Sequence, residues 1–153
     1  MPHRLAEKLR FLRTQRQLSQ VEVAQSLGLA SSSHLSYLEA GHKAPSLGLL
    51  VLLANYYRVK VDYMLRDDLP VEPPMPQHTS IDAEQWPQHF AAQVAAHRRA
   101  AAWTQSSLAV QLLPLTQAFI SQLEAARKVP SVEIALRIAE VFRVPVDELL
   151  FPL

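Results

Sequence analysis

The feature that most constrains this chain is an internal repeat with a spacing of 85 residues. Gln105 follows Gln20 by 105 − 20 = 85 residues, and the segment 121–125 (SQLEA) follows the segment 36–40 (SYLEA) by the same distance. A repeat that extends over this much of a chain of 153 residues indicates two copies of one small fold. Each copy has about 65 residues, which is near the lower size limit for a single stable core.

The composition fits two small globular units and argues against several other classes. The chain contains no cysteine, so it can form neither a disulfide nor a thiolate metal site, which is typical of a reducing compartment. No apolar run approaches the roughly 18 residues of a membrane span, and the start MPHR is unlike a signal peptide. We therefore expect a cytoplasmic protein with no membrane partner.

The charge is distributed unevenly along the chain. Residues 1–69 hold nine Lys and Arg against six Asp and Glu, a balance of +3. Residues 70–87 hold three acidic residues and no basic ones, and residues 88–153 hold six basic residues against five acidic ones. The sum, 3 − 3 + 1, is the net charge of +1. A mildly basic first unit permits phosphate binding without demanding it.

Apolar spacing predicts a first unit of five helices and no strands. Leu5, Leu9 and Leu12 recur at i, i+4 and i+7 and predict a helix over residues 3–16. Capping hydroxyls and glycine stops predict the other helices, which begin after Ser19, after Ser31, after Ser46 and near residue 59. The fold class is therefore predicted to be all-α.

Prolines separate the two units. Residues 70–87 are rich in proline, and we predict that they form an irregular, acidic linker. The predicted domains are residues 1–69 and residues 88–153. The second domain is a diverged copy, because Leu113-Pro114 replaces the glycine turn of the first domain. The apolar tail 151–153 is expected to pack on its own unit or on a partner.

The combined spacing of the first unit resembles the Cro/repressor-type helix-turn-helix family, also called the xenobiotic-response-element family. The pattern is LSQxxVAxxLG over residues 18–28, LSxLExG over residues 35–41 and PS at residues 45–46. The resemblance covers nearly all of residues 4–69 and, more loosely, residues 89–152. It implies two tandem lambda-repressor-like domains that bind double-stranded DNA to repress or activate transcription, and we expect a repressor.

In such domains the third helix of each unit is the recognition helix. The major groove admits one α-helix, and this helix enters it N-terminus first. The recognition helices are predicted at about residues 31–40 and 116–125. Their candidate DNA-contacting residues are Ser31, Ser32, Ser33, His34 and Tyr37 in the first unit and Thr116, Gln117, Ala118, Phe119 and Gln122 in the second. Gln117 is the best candidate for direct recognition, because one glutamine can bond adenine N6 and N7 together.

The resemblance also implies roles for residues outside the recognition helices. The glutamine that opens the second helix binds a backbone phosphate in the family, and the loop after the third helix commonly does so as well. The corresponding residues are Gln20, Lys43, Gln105, Arg127 and Lys128. An arginine late in the first helix often pairs with a glutamate near the end of the third. These pairs are Arg13 with Glu39 and Arg98 with Glu124, and we expect their role to be structural.

Nothing in the sequence suggests catalysis, so we expect neither enzymatic activity nor a cofactor. The histidines are scattered, and three glycines form no phosphate-binding loop. We expect the partner to be double-stranded DNA. The chain would bind it as a homodimer, or as a monomer that spans two half-sites about 34 Å apart. A regulatory protein partner stays open.

Two alternatives from other functional classes remain. The lost glycines and the lower charge of the second unit favour a dimerisation or partner-binding module, so that the first unit alone binds DNA. The whole chain could instead be an antitoxin-like protein-interaction module.

Overall fold

The computed structural model describes residues 2–73, 82 and 84–150. Helices are the only regular elements among these residues, and the predicted all-α fold class is confirmed. The chain divides into two compact units, unit one (residues 1–80) and unit two (residues 81–153). The predicted linker residues 74–81 and 83 and the apolar tail 151–153 lie outside the described residues. Within the described part of the chain, every helix is too short or too polar to cross a membrane.

Unit one is a bundle of five helices around a leucine-rich core. The helices are α1 (Leu5–Gln15), α2 (Gln20–Ser26), α3 (Ser33–Glu39), α4 (Leu47–Tyr57) and α5 (Val61–Leu65). The first helix packs against α3 and α5, while α2 packs against α3 and α4 against α5. Leu9, Val23, Leu35 and Leu50 are fully buried between them. Burying a side chain of this size stabilises a fold by about 1.5–3 kcal/mol.

Unit two repeats this plan. Its helices are α6 (Trp86–Ala100), α7 (Gln105–Gln111), α8 (Gln117–Glu124), α9 (Val132–Phe142) and α10 (Val146–Leu150). The α6 helix packs against α8 and α10, α7 against α8, and α9 against α10. Core residues recur at the spacing of 85 residues found in the sequence: Val94 for Leu9, Leu108 for Val23 and Ile120 for Leu35. The repeat in sequence is thus a repeat in packing.

Hydroxyl side chains cap five of the described helices. Ser19 Oγ accepts the backbone N–H of Glu22 at 3.1 Å, and Glu22 Oε2 accepts that of Ser19 at 2.7 Å. Extended N-cap residues begin α4, α7, α8 and α9 in the same way, namely Ser46, Thr104, Thr116 and Ser131. The prediction of Ser31 as a cap is wrong, because α3 begins one residue later. Ser32 is its N-cap, with ψ of −12°, whereas a capping hydroxyl needs an extended backbone.

Unit two begins earlier along the chain than predicted. The α6 helix starts at Trp86, whose side chain is buried. Asp82 Oδ1 accepts the backbone N–H groups of Glu84 at 2.9 Å and Gln85 at 3.2 Å and so leads into this helix. The prediction of an irregular linker up to residue 87, with a second domain from residue 88, is wrong for Trp86 and Pro87. A proline fits the first turn of a helix, where its missing N–H has no partner to lose.

Left-handed backbone positions also recur at the spacing of the repeat. They follow the first, third and fourth helix of each unit, with φ of 55° and 56° at Gln17 and Ala102, 75° and 55° at Gly41 and Ala126, and 54° and 58° at Arg58 and Arg143. The two units differ at the turn between their second and third helices. Unit one has Gly28 there, with φ of 69°, and unit two has a cis peptide between Leu113 and Pro114.

Candidate nucleic-acid interface

In unit one, α2, the following turn and α3 form a helix-turn-helix with one exposed side. The side chains of Leu35 and Leu38 point into the core and are buried. The predicted contact residues of unit one lie on or before the other side of α3 and are exposed, except for the half-buried Ser32: Ser31, Ser32, Ser33, His34 and Tyr37. The packing of α3 therefore leaves these side chains available to a ligand.

In unit two, α7 and α8 present the corresponding surface. Ile120 and Leu123 are buried, while the predicted contact residues are exposed, except for the half-buried Phe119: Thr116, Gln117, Ala118, Phe119 and Gln122. The third helix of unit two, α8, begins at Gln117, and the third helix of unit one, α3, begins at Ser33. Since Ser33 corresponds to Ala118, the helix in unit two starts one residue earlier.

An arginine–glutamate pair ties the first helix of each unit to the third. Arg13 donates from Nε to Glu39 Oε1 at 2.7 Å and from Nη2 to Oε2 at 2.8 Å. Arg98 donates from Nε to Glu124 Oε1 at 2.6 Å and from Nη2 to Oε2 at 3.0 Å. In both units the Nη1 group donates to the backbone carbonyl five residues later. Two-point contacts of this kind fix direction as well as distance.

The folded units stabilise the charged forms of both arginines and of Glu124. Burial disfavours the ionised form of Glu124, but the hydrogen bonds from Arg98 and Gln105 outweigh it and lower the pKa of this carboxyl below its ordinary 4.5. The hydrogen bond to the carboxylate raises the pKa of Arg13 and of Arg98. Arg98 and Glu124 therefore form an ion pair at neutral pH.

The glutamine that opens the second helix of each unit is held by the same carboxylate. Gln20 Nε2 donates to Glu39 Oε2 at 3.1 Å, and Gln105 Nε2 donates to Glu124 Oε2 at 3.0 Å. The sequence singled out these glutamines for phosphate contact, but nothing in it indicated their bonds to the carboxylates. Each Nε2 carries two hydrogens, so one remains for a further acceptor.

Unit two extends this arrangement to the start of α8. Gln117 Nε2 donates to Gln105 Oε1 at 2.8 Å. A continuous chain of hydrogen bonds therefore runs from Arg98 through Glu124 and Gln105 to Gln117. At the position of Gln117, unit one has Ser32. This contact joins residues 12 apart on different helices, and helical spacing within one element gave no signal for it.

The basic residues predicted to contact phosphate lie in the loops that follow α3 and α8. Lys43, Arg127 and Lys128 are all exposed. The loops start in the same way, since His42 donates its backbone N–H to Tyr37 O and Arg127 donates its own to Gln122 O, both at 2.9 Å. Each unit therefore places cationic side chains beside its third helix.

Both units match the same protein family. A helix-turn-helix family profile of the Cro/C1 type matches residues 9–64 and again residues 94–149. The chain belongs to this helix-turn-helix family. The two matched segments contain the helix-turn-helix, both arginine–glutamate pairs and both opening glutamines, so the resemblance to the Cro/repressor type is confirmed.

Two curated relatives of this family match part of the chain. The uncharacterized HTH-type transcriptional regulator YobD of Bacillus subtilis (strain 168) is 44% identical over 59 residues, which are 39% of this chain and 52% of that protein. The cryptic phage CTXphi transcriptional repressor RstR of Vibrio cholerae is 36% identical over 62 residues, which are 40% of this chain and 55% of that protein. The chain thus spans about half the length of these relatives. No solved structure matches it.

Proposed function

We propose that this chain is a sequence-specific, double-stranded DNA-binding regulator that represses transcription, with α3 and α8 as its recognition helices. Membership of the helix-turn-helix family supports DNA binding, and one of the two relatives is named a transcriptional repressor. The observation that carries the proposal is the chain of hydrogen bonds that ends at Gln117. It holds one exposed amide at the start of a helix of the size that the major groove admits.

The fixed amide of Gln117 suits recognition of an adenine. One Nε2 hydrogen bonds Gln105, which leaves the second hydrogen and Oε1 of Gln117 for a base edge. Adenine presents an acceptor at N7 and a donor at N6 in the major groove, which match these two groups. In unit one, Ser32 occupies this position, and serine bonds several base edges. We therefore propose that unit two discriminates between bases more strongly than unit one.

Contacts to the DNA backbone would position both units. The exposed Lys43, Arg127 and Lys128 are proposed phosphate contacts. Gln20 and Gln105 are proposed to give their second Nε2 hydrogen to a phosphate oxygen. Such contacts fix register and carry most of the dependence on salt, but they do not select sequence directly.

Selection from a random duplex library by the full chain, at two salt concentrations, tests this proposal. We expect an enriched motif and affinity that falls steeply with salt. Replacing Gln117 with Ala should weaken the preference at one base pair by about 1–3 kcal/mol, while Gln111→Ala, at the exposed C-terminal end of α7, should leave the motif unchanged. A library that emerges without enrichment would contradict the proposal.

A second candidate function is that unit two serves as a dimerisation or partner-binding module. Its exposed large apolar residues favour this reading, because Val110, Leu113 and Val129 are each more than half exposed. Charge reversal in the full chain separates the two functions. If Lys43→Glu and Lys128→Glu each weaken DNA binding, both units contact DNA. If only Lys43→Glu weakens it, unit two is the module.

A further inference from the structure

In both units an exposed lysine lies over an aromatic ring of the third helix. Lys43 Nζ is 5.2 Å from the ring centroid of Tyr37, and Lys128 Nζ is 5.2 Å from that of Phe119. An ammonium group within about 6 Å of a ring centroid is attracted by the negative face of the ring. The two lysines correspond in the repeat, because 128 − 43 = 85. Their side chains are therefore confined in the same way in two diverged copies.

The rings themselves do not correspond. Tyr37 aligns with Gln122, and Phe119 aligns with His34. The two rings thus sit about one helical turn apart on equivalent helices. Each copy retains one aromatic residue within reach of its lysine, although the position of the ring has changed. A contact that persists while its position moves indicates that the lysine's confinement matters more than a particular aromatic residue.

The backbone supports this contact in unit one. The carbonyl of Tyr37 accepts the N–H of His42 at 2.9 Å and the N–H of Lys43 at 3.3 Å. Lys43 is therefore bound to Tyr37 twice, through its backbone and through its ammonium group. Lys43 is itself exposed, so the ring covers one side of its ammonium group and leaves the other side open to a ligand.

We propose that Tyr37 and Phe119 are positioning residues that hold Lys43 and Lys128 ready for DNA phosphates. The inference rests on the proposed DNA-binding function and adds to it a role for two aromatic residues. An unconfined lysine side chain loses conformational entropy when it binds a phosphate. This loss lowers affinity by about two- to tenfold. A ring that already confines the ammonium group removes part of this loss. The ring also leaves ammonium hydrogens free to donate to phosphate oxygens.

The confinement is testable in the full chain without DNA. In NMR spectra the ε-protons of Lys43 and Lys128 should be shifted upfield by the ring currents, relative to those of Lys60, which is exposed at the start of α5. Tyr37→Leu should abolish the shift of Lys43, and Phe119→Leu that of Lys128. Tyr37→Phe and Phe119→Tyr, which keep the ring, should preserve it. Lysine shifts that do not respond to loss of the rings would overturn the inference.

The consequence for binding is measured with a double-mutant cycle on a fluorescein-labelled duplex of mixed sequence, because phosphate contacts do not depend on sequence. Lys43→Gln should weaken binding and lower the slope of log affinity against log salt by about 0.9. Tyr37→Leu should weaken binding by about two- to tenfold in the wild-type background. It should have no further effect in the Lys43→Gln background. Lys60→Gln controls for the loss of one positive charge.

The outcomes separate this inference from the proposed function. If the wild-type chain fails to bind the duplex, the proposed function fails and takes the phosphate role with it. If the wild-type chain binds but Tyr37→Leu is silent, or weakens binding equally in both backgrounds, the positioning role alone is wrong. The same cycle with Phe119→Leu and Lys128→Gln tests unit two independently. Thermal unfolding of each variant shows whether a loss of binding reflects a loss of folding.

Discussion

The carboxylate of Asp67 accepts the backbone N–H of Arg4, 63 residues earlier in the chain, at 2.9 Å. Its other oxygen accepts the N–H of His3 at 2.9 Å. The guanidinium group of Arg4 returns the contact by donating to the carbonyls of Asp67 at 3.3 Å and Leu69 at 3.2 Å. The segment that follows α5 therefore caps the start of α1. These hydrogen bonds join the start of α1 to the segment that follows α5.

Loss of this cap should destabilise unit one. Asp67→Ala should lower its free energy of unfolding by about 1 kcal/mol, the usual cost of a lost N-terminal cap. All four tyrosines lie in unit one and both tryptophans in unit two, so tyrosine difference absorbance during urea unfolding monitors unit one. Asp68→Ala, which removes a carboxylate with 63% exposure, is the matched control. Equal effects of the two substitutions would show that Asp67 is not a cap.

The stability of unit two should fall in acid because of Glu124. Hydrogen bonds from Arg98 and Gln105 outweigh the effect of burial and lower its pKa below 4.5. As the pH falls to about 4.5 and below, Glu124 binds a proton more readily in the unfolded chain than in the folded one. The free energy of unfolding of unit two therefore decreases as the pH falls from 4.5 toward the lowered pKa. Tryptophan fluorescence during urea unfolding at several pH values measures this.

Glu124→Gln should remove much of this acid dependence and reduce stability at neutral pH. The variant leaves the largely buried guanidinium of Arg98 without its carboxylate, at a cost of about 3–5 kcal/mol. Glu140→Gln changes an exposed carboxyl of α9 and should leave both quantities as they are. A Glu124→Gln chain that unfolds in acid like the wild type would contradict this assignment.

The left-handed residue two positions after the third helix should change the stability of the two units in opposite directions when it is substituted. Gly41 has φ of 75°, and a Cβ placed there would meet Ala6 Cβ at an ordinary 3.8 Å. Gly41→Ala should therefore cost only backbone strain, about 1 kcal/mol. Ala126 already has φ of 55°, and Ala126→Gly should stabilise unit two by about 0.5–1 kcal/mol. Tyrosine and tryptophan signals report the two changes separately, and a shift of the same sign in both units would refute the strain argument.

Lys8 should be required for the stability of unit one although it is charged. It is fully buried, and its Nζ donates to the carbonyls of Tyr63 at 2.7 Å and of Arg66. Lys8→Met keeps the apolar stem but removes the donor, so these acceptors lose their bonds. We expect a loss of about 2–4 kcal/mol, because each buried acceptor left without a partner costs about 1–3 kcal/mol. Lys60→Met, at an exposed position, should change stability little in the same urea titration.

Features set by neighbouring residues could be predicted from the sequence. The capping box of Ser19 and Glu22 follows from a spacing of three residues, the cap at Ser46 follows from a hydroxyl before an apolar run, and the structure contains both. The arginine–glutamate pairs could be named because the resemblance to the Cro/repressor-type family implies them, and their presence in both copies favours a structural role. Rules based on residue type were wrong where one residue type fits two structures, as proline does, because it breaks a helix interior but fits a first turn. The run of prolines predicts an irregular segment at Pro87, yet this residue lies in the first turn of α6.

Contacts between distant segments could not be predicted. The bond between Gln105 and Gln117 depends on how α7 meets α8, and the cap from Asp67 depends on where the chain returns after α5. Neither leaves a periodic trace in the sequence, since each joins two single residues across the fold. The aromatic partners of Lys43 and Lys128 could not be predicted from the repeat for another reason. They occupy different positions in the two copies, and an alignment of equivalent residues does not reveal them.

The recurrence of left-handed positions gives the two units the same backbone boundaries. The segment between Gln17 and Gly41 is bounded by the same backbone conformation as the segment between Ala102 and Ala126. Each segment carries its own turn and its own third helix, and the arginine that holds it lies outside. Each segment is therefore a separate part of its unit, and its backbone boundaries are the same in both units. Substitutions within one segment can therefore change its exposed side chains while the backbone that bounds it stays the same.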